Sequence, residues 1–132
     1  MGGYLPIHHI CRNQDVDNVT SKDILHLLLD TDSLSVRERD TYEEFLPIHH
    51  AAGKKSTEFC KILVKAFPES LRMQSMEGKL PIHEACSTGL VDVVQYLLEL
   101  FPESIHTRDN SGCLPIHEAS VQGNAEVIKF LL

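Results

Sequence analysis

Gly78-Lys79-Leu80-Pro81-Ile82-His83-Glu84-Ala85-Cys86-Ser87-Thr88-Gly89-Leu90-Val91-Asp92-Val93-Val94 holds two short helical patterns separated by a glycine. Pro81 fits the first turn of a helix, where a missing N–H removes no bond. Gly89 supplies the left-handed backbone that a tight turn between helices demands. Beyond it Val93, Val94, Leu97 and Leu98 are spaced i, i+1, i+4, i+5 and share one helical stripe. The pattern predicts a first helix of roughly eight residues. A second follows from about Val91 to Leu100, stopped by Pro102.

Working outward, the tetrapeptide Leu-Pro-Ile-His recurs at 5–8, 46–49, 80–83 and 114–117, at intervals of 41, 34 and 34 residues. A period of this size marks a stacked array of one supersecondary unit. The apolar stripe recurs as Phe59/Cys60 with Leu63/Val64 and as Val127/Ile128 with Leu131/Leu132, and Gly123 repeats Gly89. Phe-Pro-Glu-Ser recurs at 67–70 and 101–104, each followed by an apolar residue. Thr107-Arg108-Asp109-Asn110-Ser111-Gly112 then reads as an extended excursion that turns back, because Asp, Asn and Gly are turn residues.

The first copy fits once two insertions are allowed. Ile24/Leu25 and Leu28/Leu29 supply its stripe. Six extra residues fall in the polar run Gln14 to Ser21, expected between the helices, and one more lies between Val36 and Leu46. Insertions in connections cost a stacked unit little packing. Copy two departs differently. Lys55 stands where Gly89 and Gly123 sit, so its turn is expected to be strained or differently shaped.

These motifs resemble the ankyrin repeat. Gly78-Lys79-Leu80-Pro81-Ile82-His83-Glu84-Ala85-Cys86 is similar to the family's G-x-T-P-L-H-x-A-A. Gly89-Leu90-Val91-Asp92-Val93-Val94 with Leu97-Leu98 is similar to its G-H-x-E-V-V-x-x-L-L, and Gly123-Asn124-Ala125-Glu126-Val127-Ile128 repeats it. The resemblance implies an all-α solenoid of helix-turn-helix units joined by short hairpin loops. It is read here as one domain over 1–132, with repeats near 3–43, 44–77, 78–111 and a shortened 112–132. Leu replaces the family's Thr in every copy, which removes a capping hydroxyl worth about 1 kcal/mol. Buried leucine contacts between repeats are expected to offset that loss.

Composition narrows the chemistry. A net charge of −7 argues against a nucleic-acid surface, which needs a cationic stripe, and mildly favours a basic partner. No apolar run approaches the roughly 18–20 residues of a membrane span. Gly2 suggests a myristate, but Pro6 stands where that motif wants Ser or Thr. Cys11, Cys60, Cys86 and Cys113 form no CxxC pair, which favours a reducing compartment, expected to be the cytoplasm with the nucleus as alternative.

Eight histidines invite a metal or a general base. His8, His49, His83 and His117 hold one position in successive repeats, and stacked helices lie roughly 10 Å apart. Zinc needs its nitrogens about 2.0–2.1 Å from one point, so the four cannot share an ion. The resemblance implies that they tie hairpin to helix. His9 and His50 are expected as solvated surface residues toward the groove, with a metal-binding use as a distant alternative. His83-Glu84 and His117-Glu118 share the start of the metalloprotease pattern, but Ser87 and Val121 stand where its second His belongs. No catalytic residue, cofactor or metal is expected.

What remains is binding. The resemblance implies that the hairpin tips and the exposed end of each first helix line a concave groove. In copy three that gives Gln74, Met76, Glu77, Lys79, Ser87 and Thr88. In copy four it gives Arg108, Asn110, Ser111, Cys113, Val121 and Gln122. These positions vary between copies while the framework repeats, and none is an aromatic anchor. The expected function is a non-catalytic scaffold that binds another protein. The alternative is a regulatory or targeting segment of a larger enzyme. Further repeats of the same chain are expected beyond Leu132, since its last stripe lacks a partner.

Overall fold

A computed structural model describes residues 3–132, so the myristate question at Gly2 falls outside the described residues. Every regular element among them is helical. The first helices are α1 (Pro6–Arg12), α3 (Pro47–Lys54), α5 (Pro81–Thr88) and α7 (Pro115–Gln122). The second helices are α2 (Asn18–Thr31), α4 (Thr57–Ala66), α6 (Val91–Leu100) and α8 (Ala125–Leu131). α1, α3, α5 and α7 pack in one row, while α2, α4, α6 and α8 pack in another. The result is an all-α solenoid in which each helix pair touches its neighbours. No described helix is long and apolar enough to cross a membrane.

The predicted stripe is the core. Phe59, Cys60, Leu63, Val93, Val94, Leu97 and Val127 are buried between the two rows. Each proline opens its helix, and Gly89 and Gly123 end α5 and α7 in the left-handed region. Copy one places its insertion differently from expectation. The connection from Asn13 to Asp17 takes up part of it, and the rest adds a turn to the start of α2. Asp17 makes that extra turn stable by capping it, its carboxylate accepting from Thr20 N–H at 2.7 Å.

Lys55 explains how copy two dispenses with a glycine. Its backbone is extended (φ −122°), so the turn is differently shaped and needs no left-handed residue. Ser56 then caps α4 by accepting from Phe59 N–H at 3.3 Å. The Lys55 side chain is buried, with its ammonium donating to the Asn13 carbonyl and to Ser21 Oγ at 3.2 Å. A cation thus satisfies a carbonyl left open at the end of α1. Asn124 does the same two junctions later in the array, donating to the Cys86 and Ser87 carbonyls at 2.8 Å each.

The second helices do not run straight into extended chain. α2, α4 and α6 each stop in a 3-10 turn, at Ser33–Arg37, Pro68–Arg72 and Pro102–His106. A serine hydroxyl in each donates back to the carbonyl of Asp32, Phe67 or Phe101, at 2.7–2.8 Å. Arg37 then lies over the Phe67 ring at 4.3 Å and Arg72 over Phe101 at 4.1 Å, each bridging to the following repeat.

Hairpins close between Asp40 and Phe45, Ser75 and Lys79, and Asp109 and Cys113, so the first contains the extra residue. Gly78 sits at φ +80° with Asn110 of the next hairpin against it, 2.8 Å from where a Cβ would stand. Glu44 occupies the corresponding slot at φ 56°, a conformation unfavourable to any residue with a Cβ. Glu44→Gly is therefore expected to raise stability by about 0.5–1 kcal/mol, less than the full strain because glycine also loosens the unfolded chain. A lower urea midpoint than wild type would contradict this.

Candidate functional site

Four histidines fasten the hairpins to the helices. In each copy the N–H of the leucine before the proline donates to Nδ1 of the histidine three residues on, at 2.8–3.0 Å. This bond satisfies the leucine's own N–H, while in copies two to four the histidine backbone N–H that a threonine hydroxyl would cap turns to the leucine carbonyl at 2.9–3.0 Å. Leu46 and Leu80 are buried, whereas Leu5 is 40% exposed, so the expected leucine burial is found at the inner copies. The other ring nitrogen reaches forward. His8 Nε2 bonds the Glu38 carbonyl at 2.8 Å, and His49 Nε2 bonds those of Met73 and Lys79 at 3.0 and 3.1 Å. His83 Nε2 bonds the Cys113 carbonyl at 3.2 Å, whereas His117 is exposed. Burial drives the His8, His49 and His83 imidazoles below their ordinary pKa, His49 to about 3.

Consecutive hairpins are tied tip to tip. Met76 N–H donates to the Glu43 carbonyl and Asn110 N–H to the Glu77 carbonyl, both at 2.9 Å. Asn110 Nδ2 adds a bond to the Met76 carbonyl at 3.0 Å. Among the residues predicted to bind a partner, Met76, Glu77, Lys79, Asn110, Ser111 and Cys113 come together. With Asp109 and Glu118 they line a shallow pocket of about 270 Å³. Met76 is 52% exposed.

The others stand apart. Gln74 and Arg108 brace their own hairpins, donating to the Gly78 and Gly112 carbonyls at 3.0 and 2.8 Å. Ser87, Thr88, Val121 and Gln122 lie at the far ends of α5 and α7, outside that pocket, with Val121 78% exposed.

Two columns of side chains, of which sequence reasoning picked out only Lys79, Cys113, His9 and His50, complete the surface. The residue before each repeated leucine is Tyr4, Phe45, Lys79 or Cys113, and the residue after each histidine is His9, His50, Glu84 or Glu118. The columns interlock diagonally. Tyr4 meets His50 at 5.6 Å between ring centres, and Lys79 Nζ meets Glu118 Oε1 at 3.4 Å.

In the first half the surface is aromatic. Tyr4 packs on Tyr42 at 4.8 Å, and Arg12 lies 4.1 Å over the Tyr4 ring. Tyr42 is 59% exposed, so an anchor-type side chain does stand on the tip row. The signal was in the sequence: Tyr4 and Phe45 occupy the slot that singled out Lys79 and Cys113. His50 departs from its expected place on the surface. It is only 4% exposed and its Nε2 donates to Asp40 Oδ2 at 2.6 Å. Asp40 Oδ1 in turn accepts from Tyr42 and Glu43 N–H, so the pair fixes the tip that carries Tyr42. His9 is exposed, as expected.

In the second half the surface is acidic. Lys79 lies 3.8 Å from Glu77 and 3.4 Å from Glu118. Burial pushes the Glu84 carboxyl up to about 7, with Lys79 opposing and Glu118, Glu43 and Glu77 reinforcing. A carboxyl whose folded pKa exceeds its unfolded one withdraws stability as pH rises from 4.5 through 7. Glu84→Gln is accordingly expected to add about 1–2 kcal/mol at pH 8 and almost nothing at pH 4.5. Denaturant titrations at the two pH values would refute this by showing equal effects.

Asp109, Cys113 and Glu118 bring one donor atom each within 4.8 Å of one another. Asp109 Oδ1 is already engaged by Ser111 and Cys113 N–H, and one Glu118 oxygen faces the Lys79 ammonium at 3.4 Å. Cys86 is buried in the core with its thiol pushed up to about 12 by burial, far from a reactive thiolate.

Comparison with known proteins follows the geometry. A family profile described as ankyrin repeats (3 copies) matches residues 48–132, which is copy two onward. A search of curated proteins gave no match. Copy one lies before the matched span, yet it has the same helix pair and the same histidine bridge as the others. With well over half of its length matched, the chain belongs to the ankyrin-repeat family.

Proposed function

We propose that this chain is a non-catalytic protein-binding scaffold whose partner docks on the hairpin tips and first helices. Repeats of its family are generally protein–protein interaction modules. The observation that carries the reading is the tip-to-tip row, Met76 N–H to Glu43 and Asn110 N–H to Glu77. Backbone bonds hold the row rigid while side chains such as Tyr42 and Met76 are left uncovered. A rigid scaffold bearing exposed variable side chains lowers the ordering cost of binding. We place the protein in the cytoplasm, where its four free thiols would persist.

Affinity capture from native cell extract tests this. Tyr42→Ala combined with Met76→Ala should lose the captured partner. Lys65→Ala combined with Glu99→Ala, exposed on second helices, should keep it. Equal retention by both variants, equal loss by both, or no specific partner would overturn the proposal.

A further inference from the structure

The partner's chemistry can be narrowed, on the footing that a protein does dock on this face. Four carboxylates crowd its second half: Glu43 and Glu77 from the tips, Glu84 from α5 and Glu118 from α7. Among the described residues Lys79 is the ammonium that reaches them, and it is divided between Glu77 and Glu118. The Glu84 carboxylate receives no hydrogen bond from the described residues, only the pull of Lys79 and the repulsion of Glu118, Glu43 and Glu77. Carboxylates that turns or caps consume look different here. Asp40 and Asp109 each hold two backbone N–H groups, and Asp17 holds a helix start. Glu84 serves no such local purpose, and like charges gathered without compensation cost stability.

The charged half adjoins uncovered apolar surface. Met76 and Tyr42 project from neighbouring hairpins whose backbones are bonded through Glu43. A complementary segment therefore needs cations for the carboxylates and an apolar residue for the tips. We propose that the second half of this face binds a basic segment of the partner protein, a lysine or arginine side chain lying between Glu84 and Glu118 while an apolar neighbour covers Met76 and Tyr42. Arginine suits the place well, since its planar fork can engage two carboxylates at once. The acidic face also steers such a segment toward the site, so association should weaken with salt.

The test is a random dodecapeptide display library panned on wild-type protein and on the Glu84→Gln/Glu118→Gln variant. Wild type should enrich peptides carrying Lys or Arg beside an apolar residue. A synthetic peptide from that pool should bind the variant about tenfold or more weakly, and wild type several-fold more weakly when salt rises from roughly 0.05 to 0.3 M. Because Glu84→Gln is expected to stabilise the fold, lost binding with an unchanged or raised melting temperature separates recognition from unfolding. A pool without basic excess, a failure to enrich any peptide, or a basic peptide indifferent to the substitution would overturn the proposal. A partner captured from extract through Tyr42 and Met76, yet held equally by the Glu→Gln variant, would overturn it while leaving the protein-binding role intact.

Discussion

Replacing His49 with alanine should destabilise the protein by about 3–5 kcal/mol, whereas the same change at His117 should cost less than about 1 kcal/mol. The two occupy equivalent slots and differ only in surroundings. His49 is fully buried and closes three hydrogen bonds, to Leu46 N–H and to the Met73 and Lys79 carbonyls. Its ring also stacks on Phe45 at 5.2 Å. Truncation would leave the Leu46 N–H and the Met73 carbonyl without partners, each worth about 1–3 kcal/mol when wholly desolvated, and would open a cavity besides, while the Lys79 carbonyl keeps its bond from Ser75 N–H. His117 is exposed, and its one bond in the chain, from Leu114 N–H at 2.8 Å, is open to water. Urea titrations followed by helical circular dichroism give both values. A difference between the variants of under about 1 kcal/mol would show that position in the motif, not burial, sets the cost.

Acid should unfold the protein well above the pH at which carboxylates ordinarily titrate. Histidines buried as neutral rings bind fewer protons folded than unfolded, so stability falls as pH drops below 6.5 and goes on falling until the folded pKa is reached. His49, brought down by burial to about 3, can forfeit roughly 4–5 kcal/mol across that window. His50 moves the same way to about 4, burial outweighing the pull of Asp40, and His8 and His83 add to the trend. Glu84 works against them, since its carboxyl gains a proton more readily in the folded state as pH falls from 7 to 4.5. One rising contribution does not balance several falling ones. The urea midpoint should therefore decline steadily from pH 6.5 to 4.5, and His49→Ala should flatten that decline. A midpoint unchanged over this range would mean that the imidazoles are not held neutral.

Much of this was legible from residues. Pro81, Gly89 and the Val93-to-Leu98 stripe gave the helix pair because each enforces a local geometry that packing then uses. Where the sequence misled, a long-range contact decided the outcome. Asp40 and His50 are ten residues apart, on a hairpin and a helix, and it is the docking of one on the other that brings them to 2.6 Å. Lys55 was read as a misfit for a glycine slot, but its ammonium finds a carbonyl 42 residues away, which no local pattern encodes. The 3-10 turns at Phe-Pro-Glu-Ser were missed because proline marks a helix stop equally well whether or not a new turn begins there. At the candidate site, variability between copies pointed to Lys79 and Cys113, while the same slot in copy one passed unread at Tyr4.

The bridging histidines have a consequence for spectroscopy. A ring whose Nδ1 accepts a backbone N–H and whose Nε2 faces a carbonyl must be the Nε2–H tautomer, and that proton is shielded from exchange while the two repeats stay docked. His49 and His83 each span a different junction, to Lys79 and Cys113, while His8 bonds Glu38 within copy one. Slow-exchanging imidazole proton resonances of His49 and His83 would therefore serve as one reporter for each of these two junctions, disappearing in the order in which neighbouring units part.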